Sequence, residues 1–150
     1  MRRLAFTLCA LSVLACCTAP APRKQCTPAE HNQVENEADT LRTWNALYKA
    51  YRHFKHCMDD VDAEEGYSES IARILADRWE TLPRLAQLIR EDREFGAFVG
   101  LDATMDMNDV AKIRDRALHN CPAGLSGICT KLRKDADAAI AEDAAVRKKA

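Results

Sequence analysis

The chain has 150 residues, of which 22 are Lys or Arg, 23 are Asp or Glu and seven are cysteines. With 47% hydrophobic and 30% charged residues, this composition excludes a disordered tail and a strongly basic nucleic-acid binder. No apolar run after the signal-like N-terminus approaches the roughly 20 residues that span a bilayer, which excludes a polytopic membrane protein. Seven cysteines beside only five glycines and five prolines favour a helical protein in an oxidising compartment.

The N-terminus begins with a basic pair and a short apolar run. Arg2 and Arg3 precede an uncharged run of 12 residues at 4–15, which predicts a signal peptide over 1–15. The tetrapeptide Val13-Leu14-Ala15-Cys16 resembles the lipobox of bacterial lipoproteins, and the resemblance implies cleavage before Cys16 and lipidation of its thiol. Simple secretion and an uncleaved anchor are the alternatives. Because Cys17 rather than an aspartate follows Cys16, the resemblance implies an outer-membrane protein that faces the periplasm.

Residues 16–26 are predicted to form the lipid anchor and a tether. The segment 18–24 is rich in proline and alanine, so we expect an extended chain that holds the folded part off the membrane. Cleavage removes Arg2 and Arg3 and leaves 20 basic against 23 acidic residues, a formal net charge of −3. We therefore expect a membrane contact through lipid and no nucleic-acid partner.

Helical spacing of apolar residues begins directly after the tether. Thr27-Pro28-Ala29-Glu30 has the form of a capping box, and it predicts the start of a first helix whose firmest part covers 37–54. A second helix is predicted over 61–79, with carboxylates near its N-terminus.

The second half of the chain continues with shorter helices. Thr81-Leu-Pro83 restarts the chain, and two short helices follow, the second of which should end at Gly100. Asp106 and Ser126 are the predicted N-caps of the last two helices. The predicted fold is an all-α, bundle-like domain of about five or six helices over 27–145, with a frayed tail at 146–150. Its expected core includes six aromatic residues: Trp44, Tyr48, Tyr51, Trp79, Phe95 and Phe98.

The seven cysteines fall into groups by position. Cys9 leaves with the signal peptide, Cys16 carries lipid and Cys17 stands beside the membrane. The other four, which allow three disulfide connectivities, are Cys26, Cys57, Cys121 and Cys129.

A local bridge is favoured between Cys121 and Cys129, because they bracket a Gly/Pro-containing turn and close a short loop. If Cys121 and Cys129 form this bridge, the two remaining cysteines, Cys26 and Cys57, are left to pair with each other. An unbroken helix over 28–54 would, however, be roughly 40 Å long and would keep these two cysteines apart. Either the first helix starts later and residues 26–36 fold back, or Cys57 pairs with a cysteine of the Cys121/Cys129 corner.

Catalytic and metal-binding patterns are weak. Counted as a calcium loop from Asp60, the acidic run places Glu65 at the glycine position and Ile71 at the bidentate glutamate position. The serines have no Gly-x-Ser-x-Gly context. A zinc site lacks Cys-x2-Cys spacing, although its possible ligands are His53, His56, Cys57, His119 and Cys121. We therefore predict no enzyme, no cofactor and no metal.

The strongest surface feature is an acidic segment without Lys or Arg, which could dock a basic partner. A solvated helix N-terminus stabilised by its dipole explains the same residues and is the simpler interpretation. The candidate partner-binding residues are Asp59, Asp60, Asp62, Glu64, Glu65 and Glu69.

Three short stretches resemble uncharacterised small secreted helical proteins and lipoproteins of Gram-negative bacteria. They are Glu65-Gly-Tyr-Ser-Glu-Ser-Ile71, Asp102-Ala-Thr104, and Cys121-Pro122 with Cys129, within residues 40–135. The resemblance implies a secreted helical domain and carries over no active site.

Two classes of function fit these patterns. The first is an envelope-anchored binding protein, for which a periplasmic immunity protein against an antibacterial toxin is the most concrete version. The alternative is a structural or assembly accessory lipoprotein of the outer membrane, and a small envelope hydrolase comes third.

Overall fold

A computed structural model of the chain describes residues 24–38, 40–58, 61–102 and 107–149. Within these ranges the chain forms seven α-helices, two short 3₁₀ turns and no strand, which confirms the predicted all-α fold. The 3₁₀ turns are Lys55–Cys57 and Trp79–Thr81. The helices are α1 (Pro28–Ala38), α2 (Trp44–Phe54), α3 (Val61–Asp77), α4 (Leu82–Glu91), α5 (Arg93–Asp102), α6 (Met107–His119) and α7 (Ser126–Arg147). The predicted signal peptide, Cys16 and most of the predicted tether lie outside the described residues.

The predicted first helix is two helices, and this raises the helix count above the five or six expected. At the end of α1, the backbone N–H and the hydroxyl of Thr40 both donate to the carbonyl of Glu37, at 2.9 and 2.7 Å. Thr43 then adopts an extended conformation, and its hydroxyl accepts the N–H of Ala46 at 3.2 Å to cap α2. The prediction of continuous helix over 37–54 is therefore wrong between α1 and α2.

Of three other predicted boundaries, one agrees with the structure and two differ from it. Thr81 does precede α4, as expected. Gly100 does not end α5, which continues to Asp102. Ser126 is the first helical residue of α7 rather than its N-cap, which is Leu125 and makes no side-chain capping bond. Glycine is tolerated inside a helix at a cost of about 1 kcal/mol, so Gly100 by itself does not end α5.

The core is built around α3, whose inner face contacts α1, α2, α5 and α6. Tyr67, Ile71, Ile74 and Leu75 of α3 are buried almost completely. Burial of each large apolar side chain stabilises the fold by about 1.5–3 kcal/mol. Of the predicted core aromatics, four are buried and two, Tyr48 and Phe98, are partly buried against the same core; the buried four are Trp44, Tyr51, Trp79 and Phe95.

The C-terminal part is a hairpin of α6 and α7. The turn between them contains Gly124 at φ +79°, a left-handed conformation that favours glycine. α7 runs to Arg147, so the first two residues of the predicted frayed tail are helical. None of the described helices is both long enough and apolar enough to cross a membrane.

Candidate functional site

The structure places part of the acidic segment on the N-terminal half of α3. Asp59 and Asp60 lie outside the described residues, and Asp62 and Glu64 belong to the first turns of α3, where side chains are not described. Glu65 is exposed, and so is Glu69, which forms an ion pair with Arg73 at 3.7 Å. The acidic surface is therefore partly neutralised one turn beyond the segment, by a residue of the same helix.

Two disulfides hold the described domain. Cys121 and Cys129 are joined across the α6–α7 turn, with their Cα atoms 6.0 Å apart, as the sequence favoured. Cys26 and Cys57 are joined with their Cα atoms 4.9 Å apart. The unbroken helix that would have kept these two cysteines apart does not form, because the chain reverses between α1 and α2, as the fold-back alternative required. The alternative that Cys57 pairs with the Cys121/Cys129 corner is wrong.

Glu30 is the centre of a polar cluster beside the Cys26–Cys57 bridge. Its Oε2 accepts the N–H and the hydroxyl of Thr27 at 3.0 and 2.9 Å, and its own N–H donates to the Thr27 hydroxyl at 3.3 Å, so the predicted capping box is confirmed. Its Oε1 lies 2.6 Å from Nζ of Lys24 and 3.2 Å from Nε2 of His56. The bond from Lys24, which has the largest effect, and the two bonds from Thr27 lower the pKa of Glu30 to about 2.

The same cluster is where described His, Cys and carboxylate groups come closest to metal-site geometry. One potential ligand atom from each of Glu30, His56 and Cys57 lies within 4.8 Å of the others. The sulfur of Cys57 is in a disulfide, so it is not a thiolate ligand. Of the other zinc candidates, His53 packs edge-on against Phe54 and His119 pairs with Asp115 on α6, so the structure does not bring the five residues together.

An open groove of about 990 Å³ runs along this end of the molecule. The cations around it are paired: Lys24 with Glu30, Arg52 with Asp92 at 3.6 Å, and Lys55 with Glu94 at 3.2 Å. No sequence pattern marks this groove, because it is assembled from segments that are separated along the chain. Its lining residues are Lys24, Gln25, Cys26, Tyr51, Arg52, His53, Lys55, His56 and Glu94.

Of the serines in the described ranges, two are buried and one is exposed. Ser70 is buried, and its hydroxyl donates to the carbonyl of Ala38 at 2.5 Å. This bond satisfies a carbonyl at the C-terminal end of α1 and fixes α1 on α3. Ser68 is also buried, and Ser126 is exposed at the start of α7. Ser70 therefore has a structural role at the α1–α3 contact.

The stretches that carry the family resemblance are placed separately in the fold. Residues 65–71 lie on α3, with Tyr67 and Ile71 in the core, whereas Cys121 and Pro122 lie at the α6–α7 turn. Ala103 and Thr104 lie outside the described residues. No protein-family model, no curated protein and no solved structure matches the chain. The resemblance therefore stays a prediction.

Proposed function

We propose that this chain is a non-catalytic binding protein of the bacterial envelope, anchored by lipid at Cys16 and facing the periplasm from the outer membrane. The Cys26–Cys57 bridge is the observation that carries the proposal. It supports export, because disulfides persist in oxidising compartments. Cys57 is buried at 2% exposure, while Cys26 is the last residue of the predicted tether, so the bridge ties the end of the tether to the core. An anchor at Cys16 would thus present a fixed end of the domain to the membrane.

The proposed partner is a protein with a basic surface. Glu65 and Glu69 are exposed one turn apart on α3, while Tyr67 and Ile71 of the same helix are fully buried. Because the buried face holds α3 rigidly, these carboxylates form a preorganised surface, and complementary charge speeds association. The most concrete version is an immunity protein that blocks the basic surface of an antibacterial toxin.

The same anchor and surface suit a structural or assembly accessory of the outer membrane. The identity of the partner distinguishes the two functions: an exported toxin for the first, an envelope component for the second. A small envelope hydrolase is the weakest candidate, because the Ser70 hydroxyl is already bonded to Ala38.

The anchor is tested by comparing Cys16→Ala with Cys17→Ala, a control one residue away. We expect the wild type and Cys17→Ala in the outer-membrane fraction, with an N-terminal mass that begins at Cys16 and includes acyl chains. Cys16→Ala should move to the soluble fraction, because the acyl chains supply the membrane affinity. Unchanged membrane fractionation of Cys16→Ala would contradict the lipid anchor.

Partner binding is tested with Glu65→Lys against Glu142→Lys, which reverses the same charge at an exposed position of α7. The full chain carrying Cys16→Ser is used to capture partners from envelope extracts and from exported toxins of the same cells. We expect Glu65→Lys to slow association with the captured partner, most strongly at low salt, and Glu142→Lys to leave it unchanged. Equal association of both variants would contradict docking through α3 while leaving the anchor proposal standing.

A further inference from the structure

A small pocket at the N-terminus of α2 collects three arginines. It has a volume of about 120 Å³, and none of the described residues that line it is acidic. The arginines come from the segment before α2, from the residue before the Trp79–Thr81 turn and from α4, so only the folded chain brings them together. The lining residues are Arg42, Thr43, Trp44, Asn45, Arg78, Thr81 and Arg84.

The bonds that Arg84 and Arg78 make position them and leave donors available. Nε of Arg84 donates to the side-chain oxygen of Asn45 at 2.7 Å, and no described carboxylate forms an ion pair with Arg84. Nε of Arg78 donates to Glu80 at 3.2 Å, in a pair whose side chains are 50% and 68% exposed. A guanidinium group carries five N–H donors, so each of these arginines retains several for a ligand.

The start of α2 adds neutral donors to this charge. The Thr43 hydroxyl and carbonyl accept the N–H groups of Ala46 and Leu47, and this capping leaves the N–H groups of Trp44 and Asn45 without an acceptor in the described chain. The indole N–H of Trp44 also has no acceptor in the described chain. Water does not replace the missing acceptor, because the Trp44 residue is only 2% exposed. A buried donor without an acceptor costs stability, so a ligand oxygen bound within reach of this N–H would remove that cost.

We infer that this pocket binds a phosphate group. Arginine forks and the positive end of a helix are two features that commonly recognise phosphate oxygens in proteins. The volume admits one such group and excludes a buried nucleoside, so the rest of the ligand would project into solvent. Two sources supply this chemistry: the headgroup of an anionic phospholipid and a soluble phosphate ester. The inference is independent of the acidic surface on α3.

The test is a titration of the oxidised full chain carrying Cys16→Ser with inorganic phosphate, followed by ¹H–¹⁵N NMR. We expect saturable shifts of the backbone amides of Trp44 and Asn45. The indole N–H of Trp79 donates to the carbonyl of Asn120 at 2.8 Å and serves as an internal control that should not move.

The matched variants are Arg84→Gln and Arg90→Gln, which remove the same charge from α4 inside and outside the pocket. Loss of one charged donor should weaken phosphate binding about tenfold in Arg84→Gln. Arg90→Gln should change it by less than about twofold, because an exposed distant charge is screened. If Arg84→Gln loses spectral dispersion, Arg78→Gln takes its place with the same expectation. Shifts that stay linear with phosphate concentration, or equal weakening by both variants, would overturn the inference.

Vesicles distinguish the two sources of phosphate. The protein is sedimented with phosphatidylcholine vesicles that contain phosphatidic acid. Co-sedimentation that is lost in Arg84→Gln and retained in Arg90→Gln would support a lipid headgroup as the ligand. Saturable binding of inorganic phosphate without vesicle binding would support a soluble phosphate ester.

Discussion

Oε1 of Glu30 lies 3.2 Å from Nε2 of His56, across 26 residues of sequence. The same carboxylate caps α1 through Thr27 and pairs with Lys24. One side chain therefore connects the start of α1, Lys24 in the segment before it and the turn after α2. This cluster and the Cys26–Cys57 bridge fix the same junction, one by hydrogen bonds and the other by a covalent bond.

The first prediction concerns the acid stability of this junction. The pKa of Glu30 is about 2 in the folded protein against an ordinary 4.5, so its ionised form contributes stability above about pH 4.5. That contribution falls as the pH drops from 4.5 towards 2, where the folded-state carboxylate takes up its proton. Glu30→Gln keeps the capping oxygen and removes the charge, so its urea midpoint should lie below that of the wild type at pH 7, with a gap that closes near pH 2.

Glu142→Gln is the control for this experiment, because Glu142 is exposed on α7. Its midpoint should follow the wild type at every pH. A gap for Glu30→Gln that is constant between pH 7 and pH 2 would show that the lost stability does not come from ionisation of Glu30.

The second prediction concerns the buried hydroxyl of Tyr67. The residue is fully buried, burial raises the pKa of the hydroxyl, and this hydroxyl has no hydrogen-bond partner among the described residues. Tyr67→Phe should therefore raise the free energy of unfolding by about 1 kcal/mol, because it removes an unsatisfied polar atom. Chemical denaturation with two-state analysis measures the change.

Tyr48→Phe provides the opposite case for the same substitution. The Tyr48 hydroxyl donates to Asp92 at 3.3 Å, so its removal should lower the free energy of unfolding by about 1 kcal/mol. Equal destabilisation by Tyr67→Phe and Tyr48→Phe would mean that the Tyr67 hydroxyl does have a partner.

The third prediction compares the two disulfides. They join residues separated by 31 and by 8 positions. Chain entropy predicts that replacement of both cysteines by serine costs about 3.7 kcal/mol for the longer loop and about 2.5 kcal/mol for the shorter one. Urea unfolding of Cys26→Ser/Cys57→Ser and of Cys121→Ser/Cys129→Ser tests this order. A larger loss for the Cys121–Cys129 pair would show that native-state contacts, rather than loop length, decide the contribution of each bridge.

The local parts of the fold were predictable from the sequence. The capping box at Thr27 and Glu30 and the core face of α3 depend on residues three or four positions apart, which helix geometry brings together without help from the rest of the chain. The Cys121–Cys129 bridge belongs to the same class, because its short loop crosses a single turn. The break between α1 and α2 escaped prediction because apolar spacing continues through Leu41, which packs on the core without being helical.

The sequence by itself determined the helical class, the aromatic core and the residues available for disulfides, since composition and short-range periodicity specify these directly. Tertiary structure alone decided that Cys26 reaches Cys57, that Glu30 meets His56, and that Arg42, Arg78 and Arg84 surround one pocket. Each of these contacts joins segments that are remote along the chain. Their proximity depends on how the helices pack and on where the chain reverses. The chain reverses at Thr40 and Thr43 because the hydrogen bonds of these two side chains stabilise the helix ends more than a continued helix would stabilise the same segment.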